Sequence, residues 1–174
     1  HLYEQYGTEM LNKLRGMFAF VIWDQNKELL FMAHDYFGIK PLYYAQMGGS
    51  FLFASEIKAF LHHPNFKKEL NLPILEQYLS FQYSPCEETF FKNVYKLPPA
   101  HYLTCYKGKI EVKRYWEPKF QADGSKDLDG WVEEITKVMK DSIAHHKIAD
   151  VEVGSFLSSG VDSSYVACLA QVDK

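Results

Sequence analysis

Near the end of the chain Ser158, Ser159, Gly160, Val161, Asp162, Ser163 and Ser164 follow one another without a bulky side chain except valine. Hydroxyls, one glycine and one carboxylate in such a run make a loop suited to a polyanion. At a helix start, consecutive backbone N–H groups point outward unpaired, and the helix dipole adds partial positive charge. Gly160 lacks the Cβ that would block close approach, and it permits a positive φ. The serines add hydroxyls without bulk. Asp162 is suited to hold a hard cation such as Mg2+ between phosphates. A Walker A loop is excluded because no lysine follows Gly160, and no G-x-S-x-G nucleophile elbow is present. The plainer alternative is a strand–turn–helix whose serines cap the helix.

The elements that must position this loop can be read on either side. The apolar run from Val151 to Leu157 predicts a buried strand, and Tyr165 to Ala170 predicts a helix. Upstream, Trp131 to His146 has helical periodicity, with Val132, Ile135, Val138, Met139 and Ile143 facing inward. Residues 117–129 are polar and contain Pro118 and Gly124, which predicts a linker. Before it, Met17–Asp24 and Glu28–Asp35 predict a hairpin of two strands covered on both faces. Gly38 and Pro41 turn the chain into a further strand, and Gly48-Gly49 turns it into another at Ser50–Ser55. Short helices are predicted at Leu2–Leu14 and Glu56–His63. A longer one is predicted at Leu72–Phe81, with Leu72, Leu75, Tyr78 and Leu79 on one face. Lys107-Gly108 joins a last hairpin that has one wet face.

Composition narrows the classes. A net charge of −3 gives no basic field for nucleic acid. No apolar run is long enough to span a membrane, and no stretch reads as a signal peptide. Cys86, Cys105 and Cys168 are odd in number and far apart, which predicts reduced thiols in the cytoplasm rather than a disulfide scaffold. The pairs His62-His63 and His145-His146 are poor chelators, because adjacent helical side chains diverge by about 100°.

Phe156 to Ser164 resembles the pyrophosphate loop of the ATP pyrophosphatases, S-G-G-x-D-S-S, with Ser159 standing where that motif has its first glycine. Four stretches upstream, L-R-G-M-F-A-F-V-I-W-D, D-Y-F-G-I-K-P-L-Y-Y, F-A-S-E-I-K-A-F and Y-K-L-P-P-A-H-Y-L, are similar in order and spacing to the glutamine-hydrolysing asparagine synthetases. The resemblance implies an α+β fold class: a partial Ntn-hydrolase αββα sandwich with antiparallel sheets, then the first β-loop-α unit of an α/β ATP-pyrophosphatase domain. On this basis residues 1–116 are the C-terminal half of the glutamine amidotransferase domain, 117–129 the linker, and 130–174 the start of the ATP-binding domain. ATP and Mg2+ are the implied cofactors. The backbone of Leu157 is expected to meet the adenine nucleotide, and Ser158, Ser159, Gly160, Val161, Asp162, Ser163 and Ser164 its phosphates, with Asp162 as the metal ligand. Aspartate, glutamine and ATP are the implied small-molecule substrates, and a homodimer is compatible with the resemblance. A related amidotransferase or β-lactam-type synthetase, and a non-catalytic ATP-binding paralogue, remain the alternatives.

The glutaminase nucleophile of that family is an N-terminal cysteine, and no cysteine here matches it, so no catalytic residue for glutamine hydrolysis is carried over. His34 stands where the motif has arginine before its aspartate, whereas Asp35 is retained. Asp35, Lys40, Glu56 and Lys58 are expected to cap, pair or face solvent. The family places such residues near the path of ammonia between domains. The chain starts with His1 rather than Met and reaches Lys174 only a turn or two into the helix after the loop, so it is expected to be a fragment with little activity of its own.

Overall fold

A computed structural model describes residues 1–171, so the predicted run of the last helix toward Lys174 lies outside them after Gln171. The elements in chain order are α1 (Leu2–Tyr6), β1 (Ala19–Asp24), β2 (Leu29–His34), β3 (Tyr43–Met47), β4 (Ser50–Ala54), α2 (Leu72–Phe81), β5 (Val94–Lys96), β6 (His101–Tyr106), β7 (Lys109–Arg114), α3 (Leu128–His146) and α4 (Val161–Gln171). Two 3-10 segments, Gly7–Lys13 and Ile57–His62, stand where continuous helix was expected. The chain divides into two compact units, His1–Pro118 and the residues from Lys119 onward. Among the described residues no helix is long and apolar enough to cross a membrane.

The first unit is α+β with two antiparallel sheets, ordered β1-β2-β6-β7 and β4-β3-β5. The packing follows from strand β2. Its side chains alternate between faces, so Phe31 and Ala33 enter one core while Met32 enters another. That explains why the sequence of β2 is apolar almost throughout. Met32, Leu103 and Cys105 of one sheet meet Tyr44 of the other, with Leu42 and Leu97 completing the buried cluster. On the far side of the first sheet, Met10 and Leu11 of a 3-10 segment cover Phe31, whose ring lies 5.5 Å from Tyr3 and 5.6 Å from Tyr102. On the far side of the second sheet, Phe60 packs with Ala45 and Val94. Helical layers thus flank both sheets, the order expected of a partial αββα sandwich.

Several expectations are corrected here. Strand β1 lies at a sheet edge and leaves Trp23 59% exposed, so it is not covered like β2. The predicted face of α2 is turned outward: Leu72, Tyr78 and Leu79 are exposed, and Ile74 is the buried residue. In α3, Ile143 is buried, whereas Val132, Ile135 and Val138 are exposed. The stretch Val151–Leu157 is no strand. A strand requires a hydrogen-bonded neighbour, and both sheets draw their strands from the first unit alone.

Asp35, just after β2, ties this unit together. At 1% exposure its carboxylate accepts hydrogen bonds from the backbone N–H groups of Phe18, Phe37, Ile39 and Lys40 at 3.1–3.2 Å. Its own carbonyl accepts from Gly38 and Ala100. A Cβ on Gly38 would stand 2.8 Å from Cγ of Pro99, and φ there is +64°, so glycine is required for the approach. Burial pushes the Asp35 carboxyl up, but the N–H groups of Ile39, Lys40, Phe37 and Phe18 outweigh it and hold the group below the ordinary 3.8. The folded value is the lower one, so the stabilisation is fully present above about pH 4 and is lost as pH falls through that folded value. Asp35→Asn should cost about 2–3 kcal/mol in urea unfolding at pH 7. The gap to wild type should narrow as the pH drops below 3.8.

Candidate functional site at the start of α4

Helix α4 begins at Val161, a turn earlier than its apolar pattern indicated, so Val161, Asp162, Ser163 and Ser164 form its first turn. The first intrahelical bond runs from the Ser164 N–H to the Gly160 carbonyl at 3.1 Å. The N–H groups of the preceding residues have no intrahelical acceptor by position, which leaves donors at this end. Ser163 ties the loop back: its hydroxyl donates to the Gly160 carbonyl at 3.1 Å and accepts the Ser158 N–H at 3.3 Å. The Ser158 and Ser163 hydroxyls lie 3.0 Å apart. Residues 158–162 are exposed, as are Leu157 at 67% and Phe156 at 100%, whereas Ser163 and Ser164 are half-buried.

The strained position differs from the one expected. Ser159 carries the positive φ, at +60°, and Gly160 does not. A Cβ on Gly160 would meet Ser158 Oγ at 3.5 Å and Ser163 Oγ at 3.7 Å, ordinary contacts that leave its space only moderately restricted. The turn therefore bends at the residue where the resembling motif has its first glycine. An L-residue pays roughly 1–2 kcal/mol to stand there.

Asp162 is exposed in the first helical turn. Among the described residues no group of three or more His, Cys, Asp or Glu side chains gathers to hold a metal ion. A lone carboxylate fits Mg2+ that arrives already bound to phosphates, since that ion keeps waters and takes only one or two protein carboxylates. Helix α3 steadies α4 from beside it. Thr136 Oγ1 and Tyr165 Oη are 2.8 Å apart, and Lys147 Nζ donates to the Ala170 carbonyl at 3.0 Å. These two polar ties were not legible in the sequence, because neither falls at a spacing within one helix. A groove of about 450 Å³ runs between the two helices, lined by Ile143, Val153, Val166 and Ala170 among others, and it does not include the serine loop.

Of the charged residues noted upstream, Glu56 and Lys58 pair with each other at 2.6 Å in solvent, a contact worth little. Lys40 contributes its backbone, donating to Asp35 and accepting from His34. Asp35 is buried among peptide groups and serves the loop that follows it. A D-x-x-G turn after an apolar strand was the available signal for this role, because an aspartate there can accept the N–H groups of its own turn.

Two families match the chain: the glutamine amidotransferase domain over residues 1–116 and asparagine synthase over residues 134–174. Glutamine-hydrolyzing asparagine synthetase 1 of Bacillus subtilis is 40% identical across 97% of this chain and 27% of its own length. A putative glutamine-hydrolyzing asparagine synthetase of Mycobacterium tuberculosis is 41% identical across 97% of this chain and 27% of its own length. The amidase chry2 of Gibberella zeae is 37% identical across 95% of this chain and 25% of its own length. The chain spans about a quarter of the length of these curated relatives.

Replacing Ser159 by glycine should relieve the left-handed strain at the cost of some chain entropy, a net gain of roughly 0.5 kcal/mol. Ser159→Val, with a β-branched residue at φ +60°, should lose about 2 kcal/mol or more locally. Amide exchange at Ser164 reads both, slowing in the first variant and accelerating in the second.

Proposed function

The chain belongs to the glutamine amidotransferase domain family, and from that premise we propose that it is part of a glutamine-hydrolysing asparagine synthetase. In this reading residues 1–116 are the C-terminal half of the glutaminase domain, 117–129 a linker and 130–174 the start of the ATP-binding domain. The observation that carries it is the order of the two matches on one chain. An amidotransferase match ends at residue 116, and an asparagine synthase match begins at 134. That order joins a source of ammonia to a carboxylate-activating unit. The whole enzyme would convert aspartate and ATP to β-aspartyl-AMP and pyrophosphate. Ammonia from glutamine would then displace AMP, leaving asparagine and glutamate. It is proposed as a cytoplasmic ligase of asparagine biosynthesis, acting on small molecules and able to pair as a homodimer.

Within this reading, Leu157 meets the nucleotide through its backbone. Ser158, Ser159, Gly160, Val161, Ser163 and Ser164 surround its phosphates with N–H and hydroxyl donors. Asp162 holds Mg2+, which would neutralise phosphate charge. The fit rests on the exposed N-terminus of α4, the small side chains around it and the bend at Ser159. No residue of this chain is assigned to glutamine hydrolysis.

A related enzyme that activates another carboxylate is the second reading, favoured by the similarity to a protein named an amidase. ATP–pyrophosphate exchange in the full-length protein distinguishes them. Under the first reading exchange depends on aspartate, and Asp162→Ala lowers it on the order of 10²-fold or more. Aspartate-independent exchange favours the second reading, and unchanged exchange in the variant overturns the loop assignment.

A further inference from the structure

Both ring nitrogens of His34 face carbonyl oxygens. The side chain closes β2 at 1% exposure, with Nδ1 2.7 Å from the Leu97 carbonyl and Nε2 against the Lys40 carbonyl. Carbonyl oxygens only accept, so each contact requires a proton on the nitrogen. The neutral imidazole carries one N–H and the imidazolium two. A neutral ring here would turn a lone pair toward a carbonyl in a buried site, where an unmade hydrogen bond is costly.

The groups around the ring suit a cation. Asp35 follows it in the chain and supplies a buried carboxylate in the same turn. The Tyr115 hydroxyl donates to the His34 carbonyl at 2.7 Å, and burial pushes that phenol up, so it stays neutral. Tyr36, whose hydroxyl donates toward the Leu11 and Leu14 carbonyls, and Lys40 are the remaining titratable groups of the adjoining loop. The segment Leu97-Pro98-Pro99-Ala100 brings none.

We propose that His34 is a doubly protonated brace, one arm on the crossover at residue 97 and the other on the loop at residue 40. The brace holds a particular feature in place. Between its anchor points the loop carries Phe37 and Ile39, 70% and 55% exposed, with the Phe37 ring 5.6 Å from Trp116. Gly38 lies beneath them, where an added Cβ would stand 3.0 Å from Cε1 of His34. Asp35 draws in the N–H groups of this loop, and His34 draws in its carbonyl end. An exposed apolar tip is thereby held by two buried side chains, each bonded to the backbone. The brace is a positioning device; the ring touches no reacting group.

Nitrogen-15 NMR of the histidine ring in the wild-type protein at neutral pH tests the protonation directly. Two N–H nitrogens are expected at His34, and a spectrum with one protonated and one bare nitrogen overturns the proposal. Hydrogen exchange tests the bracing. In His34→Gln, which cannot reach both carbonyls, the amides of Ile39 and Lys40 should exchange about tenfold faster than in wild type. A folded variant with unchanged exchange at both amides overturns the brace. Should that variant fail to fold, the wild-type ring spectrum still decides.

Discussion

A buried carboxylate must find partners, and at Asp35 nearly all of those partners are peptide N–H groups. Removing a charge from water is expensive unless hydrogen bonds replace the solvent. Here Phe18, Phe37, Ile39 and Lys40 supply them. This one requirement couples the entry to β1, the end of β2 and the loop that leads toward β3. Through the Asp35 carbonyl it reaches Ala100, and Ala100 in turn accepts the Tyr115 N–H. Three separate stretches of chain, at Phe18, at residues 35–40 and at Ala100, thus converge on this residue, and Tyr115 joins them through Ala100.

The sheets add packing between their facing sides. Met32 and Leu103 face each other across β2 and β6 and turn toward Tyr44 of the second sheet. Tyr44 stacks on Tyr95 at 5.5 Å, and burial pushes its phenol up to about 12. Its hydroxyl therefore stays protonated at any physiological pH. A core of this kind uses aromatic area for cohesion, with Phe51 and Tyr95 packed on Tyr44.

The second unit is organised on a different basis. Two helices support one another through Thr136–Tyr165 and Lys147–Ala170, while the apolar residues of 151–157 remain exposed. The loop between that segment and α4 takes its shape from serine hydroxyls rather than from packing. Ser163 satisfies Ser158 and Gly160 together, and Ser159 accepts the left-handed bend.

Much of the architecture was legible from residue patterns alone. The hairpins, the extent of α2 and the serine loop before a helix are local features, set by alternation, turn residues and helix-breaking residues within a few positions. The resemblance of the motifs to asparagine synthetases was likewise present in the residues themselves. What tertiary structure decided was environment. Sequence periodicity marks an apolar face but does not say whether anything covers it, so Leu72, Tyr78 and Leu79, or Val132, Ile135 and Val138, were expected inside and stand outside. An apolar run such as Val151–Leu157 becomes a strand only beside another strand. A serine or glycine permits a bend, but the backbone around it determines that the positive φ falls on Ser159 rather than Gly160. Asp35 read as an ordinary charged residue at a strand end and His34 as a departure from the motif's arginine, and only the fold surrounds them with N–H groups and carbonyls.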